Sequence, residues 1–178
     1  MNKKDLLTEI VAKETKLLQA LHTAEPVPAN TLPAFKRMRQ MTYVVLSEQT
    51  LQSWLNDLQI AERYGRNPLM EKYALIAGQI APLKENPLIG KIVEQEMQWM
   101  DALSKNYPKL IKREAQTVEL FEKYAQSELQ SWSDASIELY WQDVQCGAAK
   151  QENFAQLRYE WLAKSLGKSC LQELEDSL

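Results

Sequence analysis

The chain has 178 residues, of which 45% are hydrophobic and 25% charged, and it carries a formal net charge of −3. That length suggests one domain whose core needs neither disulfides nor metals, with the composition of an ordinary globular protein. The mild negative charge, with Lys and Arg scattered rather than clustered, excludes the electrostatic footprint of a nucleic-acid binder and gives no attraction to an anionic membrane.

The first helix is expected over Lys3–Leu21, because Leu7, Val11, Glu14, Leu18 and Leu21 fall at helical spacing. Residues 22–31 then read as a loop, since Pro26 and Pro28 cannot sit inside a regular element. His22, at the helix end, is expected to meet the helix dipole rather than to ligate anything. A second helical region begins near Pro33 and keeps its period from Phe35 to Tyr64 through Met41, Val44, Leu51, Leu55 and Leu58. It is either one long helix or two broken near Ser47, and Gly65 caps its end.

Asn67-Pro68 opens the third helix, with Asn as cap and Pro in the first turn. Leu69, Tyr73, Ile76 and Ile80 form its buried stripe and Pro82 closes it. Asn86-Pro87 repeats that start for a fourth helix carrying Ile89, Ile92, Val93, Met100 and Leu103. After Tyr107-Pro108 a fifth runs from about Lys109 to Ser131. Ser133 caps a sixth, with Ile137, Tyr140, Trp141 and Val144 on its apolar set. A seventh covers about Glu152–Leu166 with Phe154, Leu157 and Trp161 facing inward, and Gly167 stops it. The remainder, residues 168–178, is a last turn or a frayed tail. The run Tyr43-Val44-Val45-Leu46 is strand-like but lies within a helical period. The expected fold is all-α, one domain over residues 1–178 built as an irregular bundle of six or seven helices.

Asp5 and Glu9 interrupt the N-terminal region before an apolar run can build, so neither a signal peptide nor an anchor is expected. No window approaches the roughly 20 apolar residues that span a bilayer. Cys146 and Cys170 are too isolated for a zinc site or a disulfide framework. A cytoplasmic protein with two free thiols is the expectation.

Four glutamates fall where the spacing predicts burial. Glu14 lies between Val11 and Leu18, Glu48 between Val44 and Leu51, Glu96 between Ile92 or Val93 and Met100, and Glu128 between Ala125 and Trp132. An unpaired buried charge costs several kcal/mol, so each requires a partner or a proton. Arg37, Arg39, Arg66 and Lys72 are the candidate cations. Two readings stand side by side. Either the glutamates line a polar pocket as acid, base or metal ligands, or they are boundary positions whose long side chains reach water. A di-iron carboxylate site is not expected, because Glu-x-x-His is absent and there is only 1 histidine. No Ser, Thr or Cys has a His base nearby in the sequence, so nucleophilic catalysis has no support. No metal or cofactor is predicted.

Arg66, Asn67, Glu71, Lys72 and Tyr73 crowd the start of the third helix. Free N–H groups and the positive dipole end suit a bound anion there. The alternative is capping by Asn67 and a surface pair between Arg66 and Glu71.

The segment Gly65-Arg66-Asn67-Pro68-Leu69-Met70-Glu71-Lys72-Tyr73-Ala74 resembles the Gly-Arg-Asn-x-Leu-x-x-Lys-Tyr-Ala pattern of an uncharacterised bacterial all-helical family, the domain of unknown function number 4125. Ser53-x-Leu55-Asn56-Asp57-Leu58, Tyr107-Pro108, and Phe121-Glu122-x-Tyr124 with Glu128-Leu129 and Ser133 are similar to it in order, together spanning most of residues 39–140. The chain departs from the pattern at Pro68 and Trp132. The resemblance implies a helical fold and draws attention to Arg66, Asn67, Glu71, Lys72, Tyr73 and Glu128, but implies no activity. The functional expectation is a helical binding or accessory module with a polar, glutamate-containing pocket for a small anionic or peptide ligand. The alternatives are a small enzyme with Glu14, Glu48, Glu96 and Glu128 as acid–base candidates, with or without a divalent cation, and a structural protein that closes a homodimer.

Overall fold

The computed structural model describes residues 1–21 and 27–178. His22 and Pro26, and with them the first half of the expected loop, lie outside the described residues. Among the described residues the chain is all-helical, with nine α-helices and a short 3-10 turn at Ala29–Thr31, more than the six or seven that the spacing predicts. They are α1 Lys3–Gln19, α2 Leu32–Tyr43, α3 Glu48–Arg63, α4 Pro68–Ile76, α5 Pro87–Asn106, α6 Ala115–Gln130, α7 Asp134–Ala149, α8 Phe154–Ser165 and α9 Leu171–Asp176.

Local chemistry explains most of the boundaries. Asn67 Oδ1 accepts the N–H groups of Leu69 and Met70 at 3.1 and 3.0 Å, and Pro68 occupies the first turn. Asn86 repeats the arrangement by accepting from Leu88 at 3.0 Å ahead of Pro87. Ser133 Oγ accepts from Ser136 N–H at 3.2 Å. Gly65 takes φ +67°, and the N–H groups of Gly65 and Arg66 close back onto Glu62 and Ala61. That Schellman closure needs a left-handed residue, which Gly adopts without a Cβ penalty.

Where the structure departs from the spacing, a specific contact is responsible. The second helical region is two helices, and the strand-like Val44-Val45-Leu46 falls in the turn between them. Ser47 caps α3 through Thr50 N–H, and its own N–H donates to Asp143 of α7 at 2.9 Å. Asp57 of α3 in turn accepts from Ser133 N–H at 3.0 Å, so each helix secures the other's start. α4 ends early because Gly78, at φ +68°, closes the same motif onto Leu75 and Ala74. Ile80 is therefore exposed rather than part of a stripe. The fifth helix starts six residues late: the Glu175 carboxylate of α9 accepts the N–H groups of Lys109 and Leu110 at 2.9 and 2.8 Å, and Ile111 is buried. The expected tail is thus partly an anchored helix, with Leu171, Leu174 and Glu175 buried. Leu157 is exposed, not inward-facing, while Phe154 is buried.

α1 packs on α2, α3 and α4; α3 on α7; and α5 on α6, α7 and α8. At the centre Trp132 stacks on Trp54 with ring centroids 4.5 Å apart and meets Tyr140 edge-on at 5.5 Å. These rings bind α3, the α6–α7 junction and α7 into one apolar core.

Candidate functional site

Two buried ion-pair triads of the same design flank Trp132. In the first, Arg39 of α2 grips Glu14 of α1 with two hydrogen bonds, Nε to Oε2 at 2.7 Å and Nη2 to Oε1 at 3.0 Å. The Tyr43 hydroxyl donates to Glu14 and accepts from Arg39 Nη2. In the second, Arg158 of α8 grips Glu96 of α5 through Nη1 at 2.6 Å and Nη2 at 3.0 Å. The Tyr140 hydroxyl of α7 donates to Glu96 at 2.8 Å and accepts from Arg158 at 2.9 Å. The planar fork of arginine matches a carboxylate in this way, which is the geometry that makes a buried ion pair tolerable.

The first triad extends further. Trp54 Nε1 donates to Glu14 at 3.2 Å. Glu128 of α6 accepts from Arg39 Nη2 at 2.5 Å and pairs with the Lys72 ammonium of α4 at 2.7 Å. Three helices therefore meet at the Arg39 guanidinium, and α3 and α4 join the network through Glu14 and Glu128. Burial would raise the Glu128 pKa, but Arg39 and Lys72 outweigh it and hold the carboxyl well below the usual range. Burial likewise works against the charge on Arg39, yet Glu128 and Glu14 keep its pKa raised. Burial and then Glu96 push the Tyr140 phenol far above its ordinary value, so it stays a neutral bridge.

Between the triads lies a cavity of about 300 Å³. Its wall is mostly apolar: Met38 and Met41 of α2, Ile92, Val93 and Met100 of α5, and Phe121 of α6. Arg39, Lys72, Glu96, Glu128 and Arg158 supply its polar part. Several donors there are uncommitted. Lys72 has three N–H groups and one carboxylate partner, with the Tyr124 ring 5.4 Å from its nitrogen. Arg158 has five N–H groups, of which four are taken by Thr42 O, Glu96 and Tyr140. The indole N–H of Trp132, another wall residue, is buried without an acceptor among the described residues. A buried donor left unpaired costs about 1–3 kcal/mol.

Of the four glutamates, Glu14, Glu96 and Glu128 reach this region, and Glu14 stands behind Arg39 rather than on the cavity wall. Glu48 does not. It is exposed in the first turn of α3, where its carboxylate accepts from Lys3 N–H at 3.2 Å. The spacing misplaced it because the helix breaks at Ser47, which resets the face. The cluster at the start of α4 is split. Arg66 forks onto Glu71 with two bonds of 2.9 Å. Lys72 turns away to Glu128, and Tyr73, expected on the buried stripe, is exposed. No N–H is free at that helix start: Pro68 has none, Leu69 and Met70 donate to Asn67 Oδ1, and Glu71 donates to Asn67 O. Arg37 makes no ion pair among the described residues.

Sequence reasoning missed Arg158, the partner of Glu96, and the bridging roles of Tyr43 and Tyr140. A signal existed: Arg158 falls four residues after Phe154 and three after Ala155, both buried, so it sits on an inward stripe just as the glutamates do. Among the described residues no three His, Cys, Asp or Glu side chains gather to hold a metal ion, and no helix is long and apolar enough to cross a membrane.

Comparison with curated proteins and with solved structures finds no match for this chain. The match comes from a family, described as protein of unknown function (DUF4125), which covers residues 4–176, and the chain belongs to that family.

Proposed function

We propose that the protein is a binding module whose cavity between the two triads takes a small ligand with an apolar body and a polar head. The carrying observation is the pairing of an apolar wall with uncommitted N–H donors on Lys72 and Arg158. Small-molecule sites are commonly concave, mostly apolar and furnished with a few fixed polar groups, and a volume near 300 Å³ is at the small end of their range. The triads supply rigidity, since each arginine is fixed from at least two helices.

The carboxylates favour binding over acid–base chemistry. A general acid or base works best with a pKa near the operating pH, and Glu128 is held far below it by Arg39 and Lys72. Glu14 and Glu96 are occupied by arginine forks and tyrosine hydroxyls.

The test is occlusion. Ala125 of α6 lines the cavity, and Ala125→Phe places a ring in it. Fragments of about ten heavy atoms, at about −0.5 kcal/mol per atom, should bind wild type with Kd near 0.2 mM. Calorimetry and thermal shift should report binding to wild type and none to Ala125→Phe. Equal binding to both proteins would place the ligand elsewhere and refute the reading.

A further inference from the structure

We infer that the ligand of this cavity is electrically neutral: an uncharged hydrogen-bond acceptor, such as an amide, ester or ring nitrogen, on a compact apolar or aromatic body. This rests on the binding reading above and goes beyond it by naming the chemical class. The expectation of an anionic ligand followed from free cations and a free helix start, and the structure commits those groups internally.

Among the described residues, Arg39, Lys72 and Arg158 are the cations at the cavity wall, and Glu96 and Glu128 are the carboxylates. Glu14, directly behind Arg39, is the third carboxylate. Three positive groups are thus matched by three negative ones, and every one is engaged: Arg39 with Glu14 and Glu128, Lys72 with Glu128, and Arg158 with Glu96. All six side chains are 4–15% exposed, so water screens these charges little.

An entering anion gives up its hydration and finds no unmatched cation. It can accept the same open N–H groups of Lys72 or Arg158, but its own charge then has no counter-charge to offset the lost hydration, because both cations are already matched by carboxylates. An entering cation finds no unmatched carboxylate among the described residues. A neutral acceptor meets neither penalty. It can take the remaining N–H of Lys72 or of Arg158 without separating an existing pair. The wall around these donors is methionine, isoleucine, valine and aromatic, which suits a body of matching polarity. The volume equals about ten waters' worth of liquid, so the body is small.

Phenylacetamide, phenylacetate and phenethylamine share a shape and differ in charge, and they serve as probes at neutral pH. Calorimetry on wild type should show the amide binding at least about tenfold more tightly than either ion, because an unmatched buried charge is costly. Glu128→Gln keeps the shape but leaves one cation unmatched, so the ratio of carboxylate to amide affinity should rise at least about tenfold. Glu96→Gln unbalances the other triad with the same sign and should act likewise, which keeps the test open if one variant fails to melt cooperatively. Phenylacetate binding wild type as tightly as phenylacetamide would overturn the inference while leaving the cavity as the binding site. So would an unchanged ratio in both variants. If none of the three probes binds wild type, or Ala125→Phe binds them unchanged, the cavity is not the site and the inference falls with it.

Discussion

Replacing Arg39 with Met tests whether the first triad is a charge-balanced unit. The substitution keeps much of the aliphatic volume but removes the fork that donates to Glu14 and Glu128. Glu128 keeps Lys72 at 2.7 Å. Glu14 keeps only neutral donors, the Tyr43 hydroxyl and Trp54 Nε1. One carboxylate, 4% exposed, is then left without a cation. Removing one partner of a buried ion pair costs about 3–5 kcal/mol. For a chain of this size that is a fall in Tm of roughly 6–20 °C. Urea unfolding followed by circular dichroism at pH 7 measures it. Adding Glu14→Gln removes the stranded charge, so the double variant should be more stable than Arg39→Met alone by about 2 kcal/mol. A loss below about 1 kcal/mol for Arg39→Met, or strict additivity in the double variant, would show that Glu14 never depended on the guanidinium.

Other outcomes follow from the same geometry. Asn67→Ala should cost about 1–2 kcal/mol in urea unfolding, because it removes the cap of α4 and also the bond from Asn67 Nδ2 to the Leu17 carbonyl. Gly147→Ala should cost about 1–3 kcal/mol, since the Phe154 ring edge stands where the new Cβ would go. Glu128 sets an acid limb. Its folded pKa lies below the ordinary 4.5, so its pairing stabilises fully above that value and the contribution is lost as pH falls below it. Wild type should therefore lose Tm below about pH 4.5 more steeply than Glu128→Gln, and parallel acid limbs in the two proteins would contradict the pairing.

Much of the helical layout was legible because helix starts and stops are decided within a few residues. Asn67-Pro68, Asn86-Pro87, Ser133 and Gly65 act on N–H and C=O groups two to five positions away, so their chemistry is written locally. The inward placement of Glu14, Glu96 and Glu128 was also readable, since it follows from a repeat of apolar neighbours along one helix. What no local pattern contains is the partner. Arg39 meets Glu14 across 25 positions and Glu128 across 89, and Arg158 meets Glu96 across 62. Such pairs form only when whole helices dock, and docking also decided that Glu175 holds residues 109 and 110 out of α6. Glu48 shows the limit most plainly: it shares the spacing of the other three, but Asp143 of α7 and the Ser47 cap break the helix just before it, and a new helix start turns it to solvent. Apolar spacing alone placed Glu14, Glu96 and Glu128 on inward faces; only the packed bundle determined that, among the described residues, every cation at the cavity wall already has a carboxylate.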